Sequence, residues 1–185
     1  MVNSQNITAD DIISFWFYEI TPQDWWKKND DFDQKIKDKF HTVYQKAAAG
    51  ELFMWRKTPL SSLAEVIILD QFPRNMFRDT PKAFATDNLA LCLTQNAIDK
   101  GYDIELNPSQ KSFLYMPMMH SESLRIHKRA VELFGAPGME NNLNFELKHK
   151  TIIDKFGRYP HRNDILERTS TQQEVDFLKE PNSSF

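Results

Sequence analysis

The sequence predicts an all-α fold of about nine helices, stacked as antiparallel helical hairpins in a single domain that spans residues 1–185. Three observations lead to this prediction. Apolar residues recur at helical spacing along most of the chain, prolines follow helix-capping residues, and glycines follow several helical stretches. The strict alternation of apolar and polar residues that indicates a half-buried strand is not found. Residues 1–7 precede the first apolar stretch, and we expect them to be flexible.

The starts of the predicted helices are marked by capping residues. A proline follows each of Thr21, Thr58, Thr80 and Asn107. Each pair indicates a helix start, because the threonine or asparagine side chain caps the first turn and the proline there needs no N–H. A further start is predicted at Thr171, which forms a capping-box pattern with the glutamate three residues later.

Apolar stripes and glycines indicate the buried sides and the ends of these helices. The stretch Leu60–Leu69 is apolar almost all round, which predicts a central buried helix. Two further stripes at helical spacing are Phe32, Ile36, Phe40, Val43, Tyr44 and Ala47, and then Leu124, His127, Val131 and Phe134. The glycines that follow helical stretches are Gly50, Gly101, Gly135 and Gly157. Because glycine is favoured just after a helix and the connections are short, antiparallel neighbours are expected.

The composition is that of a soluble globular protein, with 41% hydrophobic and 26% charged residues. The formal net charge is -3 and the pI about 6.0, so neither a basic face nor a nucleic-acid partner is expected. The first residues lack the basic and apolar regions of a signal peptide, and no apolar run reaches the length of a membrane helix. These features predict a cytoplasmic protein without membrane contact, and they leave the oligomeric state open.

The single cysteine, Cys92, excludes a disulfide within the chain and a cysteine-rich zinc site. Its neighbours Leu89, Leu91 and Leu93 predict a buried, unreactive thiol on an apolar helix. The spacings of zinc proteases, phosphate-binding loops and dinucleotide-binding loops are absent, and a ferritin-like site would need more than one Glu-x-x-His motif. We therefore predict no metal and no cofactor.

Four short stretches place polar residues at predicted helix ends, where packing alone does not require them. The first, Leu69–Asn75, ends the most apolar helix, and its Asp70 and Arg74 are spaced to form an ion pair. Pro73 within it should turn the chain away from a continued helix. The second stretch is Phe84–Asp87, with its aspartate in or near the first turn of a helix.

The other two stretches contain histidines. In Tyr115–Glu122, Pro117 is expected to kink or end a helix, and His120 and Glu122 follow at once. In Phe156–Asn163, the proline at position 160 can begin a helix, which would place the next three residues in its first turn. The N–H groups and the dipole of such a turn favour an anion, and two arginines in this stretch would strengthen that preference.

Together with Phe15-Trp16-Phe17, the pair Trp25-Trp26 and the terminal Pro181–Phe185, these stretches resemble the domain-of-unknown-function 924 family. The resemblance runs from about Ile12 to Phe185, and the strings Asp-Gln-Phe-Pro-Arg-Asn and Arg-Tyr-Pro-His-Arg-Asn are its most specific parts. It implies a bacterial protein with a tetratricopeptide-like α–α superhelix. It implies no reaction. The tetratricopeptide repeat pattern itself is not found in the sequence.

We expect the four polar stretches to converge on one concave pocket, the usual form of a binding site. Its mixed charge indicates a small ligand with an anionic group. The predicted ligand-binding residues are Asp70, Arg74, Asn75, Asp87, Arg158, Arg162 and Asn163, with Trp25, Trp26 and Tyr115 as walls. The alternative is that each cluster has no ligand and only stabilises its own helix end through ion pairs and hydrogen bonds. His41, His127 and His149 lie within helix patterns and receive little functional weight.

Two function classes remain open at this stage. The first is a binding protein for a small anionic molecule or a peptide, which is favoured because no complete catalytic set can be named. The alternative is a hydrolase-type enzyme that uses His120 or His161 as a general base beside a carboxylate, with Glu122 a further catalytic candidate. A purely structural role would be indicated by an exposed aromatic patch, for which Trp16, Trp25 and Trp26 are the residues to inspect.

Overall fold

The computed structural model of the protein describes residues 7–181 and 183, in which eight α-helices and no strand are present. The helices are α1 (Ala9–Ser14), α2 (Asp30–Ala48), α3 (Pro59–Met76), α4 (Asp87–Asp99), α5 (Pro108–Met119), α6 (Leu124–Phe134), α7 (Glu140–Phe156) and α8 (Gln172–Phe177). A π-helical turn, Phe15–Glu19, continues α1 directly. Short 3-10 segments are Phe53–Lys57, Pro81–Phe84, Tyr102–Glu105 and Pro160–Arg162. The predicted all-α class and its approximate helix count are confirmed.

Helix α3 lies at the centre of the fold. It contacts α1, α2, α4 and α5, and every side chain from Ser62 to Pro73 is buried. Consecutive helices from α2 to α7 contact each other, as stacked helical hairpins do. The predicted central buried helix is therefore confirmed, whereas the likeness to a tetratricopeptide superhelix stays a prediction. Even α3, the most apolar helix described, lacks the length and hydropathy needed to cross a membrane, and the other described helices lack them too.

The predicted caps differ in what they begin. Thr58 and Asn107 cap α3 and α5, with a proline in the first turn of each, and Thr171 forms a capping box at α8. Thr80 precedes only a 3-10 segment. Thr21 begins a turn in which its N–H and hydroxyl both donate to the carboxylate three residues later. Each of the four cap-and-proline pairs thus begins a turn, and two of them, at Thr58 and Asn107, begin an α-helix.

Two prolines lie inside helices. The expectation that Pro73 turns the chain away from a continued helix is wrong, whereas Pro117, which was expected to kink or end a helix, lies two residues before the last residue of α5. Pro73 lies within α3, which runs on to Met76, and Pro117 lies within α5, which runs on to Met119. A proline in a helix removes one hydrogen bond and costs roughly 3 kcal/mol. Both prolines are buried among buried neighbours, and this packing offsets the cost. The continued helices keep the polar residues that follow each proline close to the core.

Cys92 is exposed on α4, so the prediction of a buried thiol is wrong. The buried side of this helix is formed by Ala90, Leu93, Thr94 and Ala97, and position 92 lies outside that stripe. We expect a thiol reagent to modify one cysteine per chain in the folded protein, without denaturant. A Cys92→Ser variant, which has no cysteine, should show no modification. Reaction only after unfolding would contradict the exposed position.

Both ends of the chain fall largely outside the described residues. Of the N-terminal segment 1–7 that was predicted to be flexible, only Ile7 is described, and it is partly buried against the main core. Of the terminal motif 181–185, only Pro181 and Ser183 are described. Ser183 is buried and donates a hydrogen bond to the carbonyl of Leu178.

Candidate functional site

The first polar stretch, the second and the last meet at one carboxylate, that of Asp87 at the start of α4. Arg74, near the end of α3, binds both of its oxygens, with Nη1–Oδ1 at 2.9 Å and Nη2–Oδ2 at 3.0 Å. Arg162 reaches Oδ2 from the 160–162 turn, with Nη1 at 3.3 Å. The bidentate geometry fixes the plane of the Arg74 guanidinium. Stretches that are 75 residues apart in the chain therefore share one counter-ion.

A second link joins α3 to the end of α5. His120 Nδ1 lies 2.8 Å from Oδ1 of Asp70, a carboxylate that is fully buried. Gln71 donates to the other oxygen of Asp70 at 2.5 Å, and Arg74 Nη1 lies 3.6 Å from Oδ1. Arg74 also donates to the backbone carbonyl of Asp70. Asp70 therefore has a partner for each oxygen and a cation within Coulomb range, as a buried charge requires.

The electrostatics of this pair give each group a definite protonation state at neutral pH. Burial alone would raise the pKa of Asp70, but His120 and Arg74 hold the pKa at about 2. Burial lowers the pKa of His120, and the Arg74 charge lowers it further against the pull of Asp70. Asp70 is therefore ionised and His120 neutral at pH 7. The carboxylate can only accept, so Nδ1 of His120 bears the proton and Nε2 is left with a lone pair.

The Nε2 atom of His120 has no hydrogen-bond partner within residues 7–181 and 183, and it keeps some contact with solvent. The His120 side chain is 14% exposed, against 0% for Asp70. No described serine, threonine or cysteine side chain bonds to the ring. The arrangement is a histidine whose inner nitrogen is fixed by a buried aspartate and whose outer nitrogen can accept a proton.

Arg162 is held more tightly than the sequence indicated. Its guanidinium carbon lies 4.6 Å from the centre of the Phe84 ring and 4.7 Å from that of Tyr159. Its Nη2 donates to the backbone carbonyl of His120 at 3.1 Å, while its Nε is buried without a partner. The charges of Arg74 and Arg162 are balanced by those of Asp70 and Asp87. The arginines that were expected to bind an anion are therefore neutralised in the described structure.

The predicted helix start at Pro160 is only a three-residue 3-10 segment, so no helix dipole is available for an anion there. His161 in this segment packs against Tyr159 with the two rings tilted and 5.5 Å between their centres, and its Nδ1 is buried without a partner. Burial first, and the Arg162 charge second, lower the pKa of His161 to about 4. His161 is therefore neutral at pH 7, but no carboxylate orients it.

Glu122 has a structural partner that the sequence analysis missed. Arg168 binds both of its carboxylate oxygens, at 2.7 and 3.0 Å, and the backbone N–H of Tyr159 donates to it at 2.8 Å. Burial would raise the pKa of Glu122, but these donors hold it below its usual range. Glu122 is thus not the acid partner of His120. It fastens the segment after α7 to the end of α5.

Three of the predicted ligand-binding residues lie in other clusters. Arg158 binds Glu174 through Nε at 2.6 Å and Nη2 at 2.8 Å. Asn163 donates to Ser170 and accepts from Arg168. Asn75 donates to Asp33, which Arg78 also binds. The side chains of these three residues stabilise other parts of the fold. They form no hydrogen bond to the side chains of the His120 cluster.

The predicted apolar walls are also elsewhere. Trp25 and Trp26 pack on Phe113, with ring centres 4.8 and 6.0 Å away, and Trp26 is 64% exposed. Tyr115 donates to Asp103 at 2.7 Å and packs on Phe134. Trp16 is buried beside Trp25, so Trp26 is the exposed member of these three tryptophans.

A buried polar pair was given too little weight at the sequence level. His127 is fully buried, with Nδ1 2.6 Å from Oε1 of Glu146 and Nε2 2.8 Å from the carbonyl of Ser121. His149 is buried too, and its Nδ1 donates to the carbonyl of Phe145. The available signal was the position of His127 inside an apolar stripe, because a histidine in such a place requires buried partners. In the described part of the chain, no three potential metal ligands are grouped to hold an ion.

Comparisons with known proteins agree with this fold. The profile of a family described as "Bacterial protein of unknown function (DUF924)" matches residues 12–182. The chain is similar to a solved structure, a protein of unknown function, ATU0120, from Agrobacterium tumefaciens, with 37% identity and a TM-score of 0.87. That match covers 92% of this chain and 96% of the other. No match was found among curated proteins. Neither match supplies a reaction.

Proposed function

The chain belongs to the bacterial DUF924 family, as its motifs predicted, and we propose that it is an enzyme in which His120 is the general base. Asp70 orients the base and Arg74 stabilises the charge of Asp70. The cluster around Asp87 positions Arg74 and Arg162 beside it. The substrate is a small molecule rather than a nucleic acid or a membrane lipid, since the net charge of -3 offers no basic face.

The observation that supports this proposal is the Asp70–His120 pair itself. A buried carboxylate on Nδ1 fixes the tautomer that leaves Nε2 free to accept a proton, the arrangement used in hydrolytic triads. The distance is 2.8 Å, and the aspartate is fully buried while the histidine ring reaches solvent. A lock for the helix end alone would not require the outer nitrogen to remain open.

The proton that His120 accepts comes from water or from the substrate, because no nucleophilic side chain among the described residues bonds to the ring. In a hydrolysis, Nε2 removes a proton from water, the O–H electron pair stays on oxygen, and that oxygen forms a bond to the electrophilic atom of the substrate. The imidazolium then lies beside ionised Asp70, and the cluster changes from neutral to positive. This added charge favours the anion that develops on the substrate. The bond from the electrophilic atom to the leaving group then breaks, and the imidazolium returns its proton to the leaving group.

A second candidate function is the binding of a small anionic molecule or a peptide carboxylate without a reaction. It rests on Arg74, whose side chain is still 21% exposed beside Asp87. An anion there has to share both guanidiniums with Asp87. The neutralised cluster makes this the weaker of the two proposals, in contrast to the order that the sequence favoured.

The proposal can be tested with a reagent that acylates neutral imidazole, such as diethyl pyrocarbonate, at pH 7. We expect His120 to be modified in the folded protein, and a His120→Gln variant to lose that modification. His41→Gln is the matched control, because His41 lies on α2 away from the cluster and has no ion-pair partner in the described structure. A folded wild-type protein whose His120 stays unmodified would overturn the proposal.

Substrate classes can be found by a turnover and thermal-shift screen with esters, phosphorylated metabolites and carboxylated metabolites. A ligand stabilises the folded state according to the logarithm of its concentration over its Kd. Any turnover should fall at least about a hundredfold in His120→Gln, the size of a lost general base, and stay unchanged in His41→Gln. Binding that depends on Arg74 with turnover that survives in His120→Gln would favour the second candidate.

A further inference from the structure

We infer that Tyr159 and His127 are positioning residues for His120, which they hold through the backbone on either side of it. This inference rests on the proposed role of His120 as a base. Neither residue bonds to the His120 ring. Each binds a carbonyl oxygen at the end of α5, and together with Arg162 they occupy three consecutive carbonyls. We call Tyr159, Arg162 and His127 the carbonyl clamp.

The carbonyl clamp is defined by three hydrogen bonds. The Tyr159 hydroxyl donates to the carbonyl of Met119 at 2.5 Å. Arg162 Nη2 donates to the carbonyl of His120 at 3.1 Å, and Nε2 of His127 donates to that of Ser121 at 2.8 Å. The last carbonyls of a helix have no partner within it and usually face water. Here three buried side chains from outside α5 bind the carbonyl of its last residue, Met119, and those of His120 and Ser121, which follow it.

The position of His120 makes these bonds relevant to its ring. His120 is the C-cap residue that follows Met119, the last residue of α5, and helix ends fray. Its ring must nevertheless point at an aspartate 50 residues earlier in the chain. Asp70 lies on α3, whereas the carbonyl clamp comes from α6 and from the turn after α7. The backbone of His120 is thus fixed from one side and its ring from the other.

The members of the carbonyl clamp are themselves fixed. The carbonyl of Ser121 can only accept, so Nε2 of His127 bears a proton, and Nδ1 shares a second proton with Glu146 at 2.6 Å. Tyr159 is fully buried, and its N–H is bound by Glu122. Its hydroxyl also lies 3.2 Å from Nε2 of His127, which joins the two ends of the carbonyl clamp. A buried hydrogen-bond network of this kind holds the side chains that form it in place.

The test is the tautomer of His120, read from ¹⁵N chemical shifts of histidine-labelled protein at pH 7. Tyr159→Phe removes one hydroxyl and keeps the ring. We expect the fraction of the Nε2–H tautomer of His120 to rise about two- to tenfold, the effect of weakening one hydrogen bond. Tyr115→Phe is the matched control, since Tyr115 is a buried tyrosine of α5 whose hydroxyl binds Asp103 instead. It should leave the tautomer unchanged.

A second pair of variants keeps the test independent of the folding of Tyr159→Phe. His127→Leu removes the bond to the carbonyl of Ser121, and we expect the same rise in the Nε2–H tautomer. His127→Gln retains a donor of similar reach and should restore the wild-type ratio. A tautomer that stays unchanged in folded Tyr159→Phe or His127→Leu would overturn the positioning role and leave the proposed function intact. A wild-type His120 without a proton on Nδ1 would instead overturn the proposed function itself.

Discussion

Replacing Asp87 with asparagine is expected to lower the free energy of unfolding by about 3 kcal/mol, because breaking a buried ion pair strands its partner. Asp87 is the shared counter-ion of Arg74 and Arg162, and its side chain is only 15% exposed. An asparagine oxygen can still accept one hydrogen bond, but it cannot balance two guanidinium charges. Urea unfolding with an unchanged m-value measures the loss.

The matched control is Glu132→Gln. Glu132 forms an ion pair with Arg129 on the surface of α6, where both side chains are more than half exposed. Exposed pairs of this kind contribute less than about 1 kcal/mol, so the control should be nearly neutral. Equal losses in Asp87→Asn and Glu132→Gln would contradict the view that Asp87, at the start of α4, links the end of α3 to the 160–162 turn.

The second large effect is acid destabilisation. We expect His149 and His161 together to lower the free energy of unfolding by about 4 kcal/mol between pH 7.5 and pH 5, because both are buried in the neutral form and must be protonated on unfolding. His120, whose pKa is also lowered by burial, adds to this fall. Burial lowers the pKa of His149 to about 3, against an opposing hydrogen bond to Phe145. His161 is held at about 4. Because both values lie below the unfolded value, the unfolded state binds more protons once the pH falls below about 6.5.

The size and the sign of this effect can be checked separately. At pH 5 His149 and His161 each account for about 2 kcal/mol, so His161→Gln should reduce the fall between pH 7.5 and pH 5 by about 2 kcal/mol. The carboxylate of Asp70, with a pKa of about 2, loses its contribution only below about pH 4 and does not enter this window. A thermal midpoint that is the same at pH 7.5 and pH 5 would contradict the neutral, buried state of these histidines.

The sequence was sufficient for the helices and for the stretches that contain the site. Helix α3 could be predicted because an apolar run with a capping threonine and proline is a local signal. Asp87 could be placed in or near the first turn of a helix, and it begins α4. These features depend on short-range patterns, and local patterns survive folding. The hypothesis that the polar stretches converge rested instead on their common position at helix ends.

The longer-range pairing of these residues could not be predicted. The expected ion pair of Arg74 with Asp70, four residues away, is present at 3.6 Å, but the bidentate partner of Arg74 is Asp87, which only the packing of α4 on α3 brings near. Glu122 was expected beside His120, but Arg168, 46 residues later, binds it. Partner choice is decided by tertiary distance, and a single sequence contains no record of that distance.

The buried histidines illustrate the same limit. His127 was recognised as part of an apolar stripe and given little functional weight, yet it is fully buried and paired with Glu146 of α7. Cys92 was assigned to the core because leucines flank it, although the buried stripe of α4 passes on its other side. In both cases the local pattern identified the helix correctly and left open which side of the helix faces the core.

The ¹⁵N spectrum of the wild-type protein at pH 7 tests most directly whether His120 is a base held by Asp70. The account predicts a neutral His120 ring with its proton on Nδ1 and an unprotonated Nε2, and a loss of this preference in Asp70→Ala. A ring that is positively charged at pH 7, or one whose proton lies on Nε2, would contradict it.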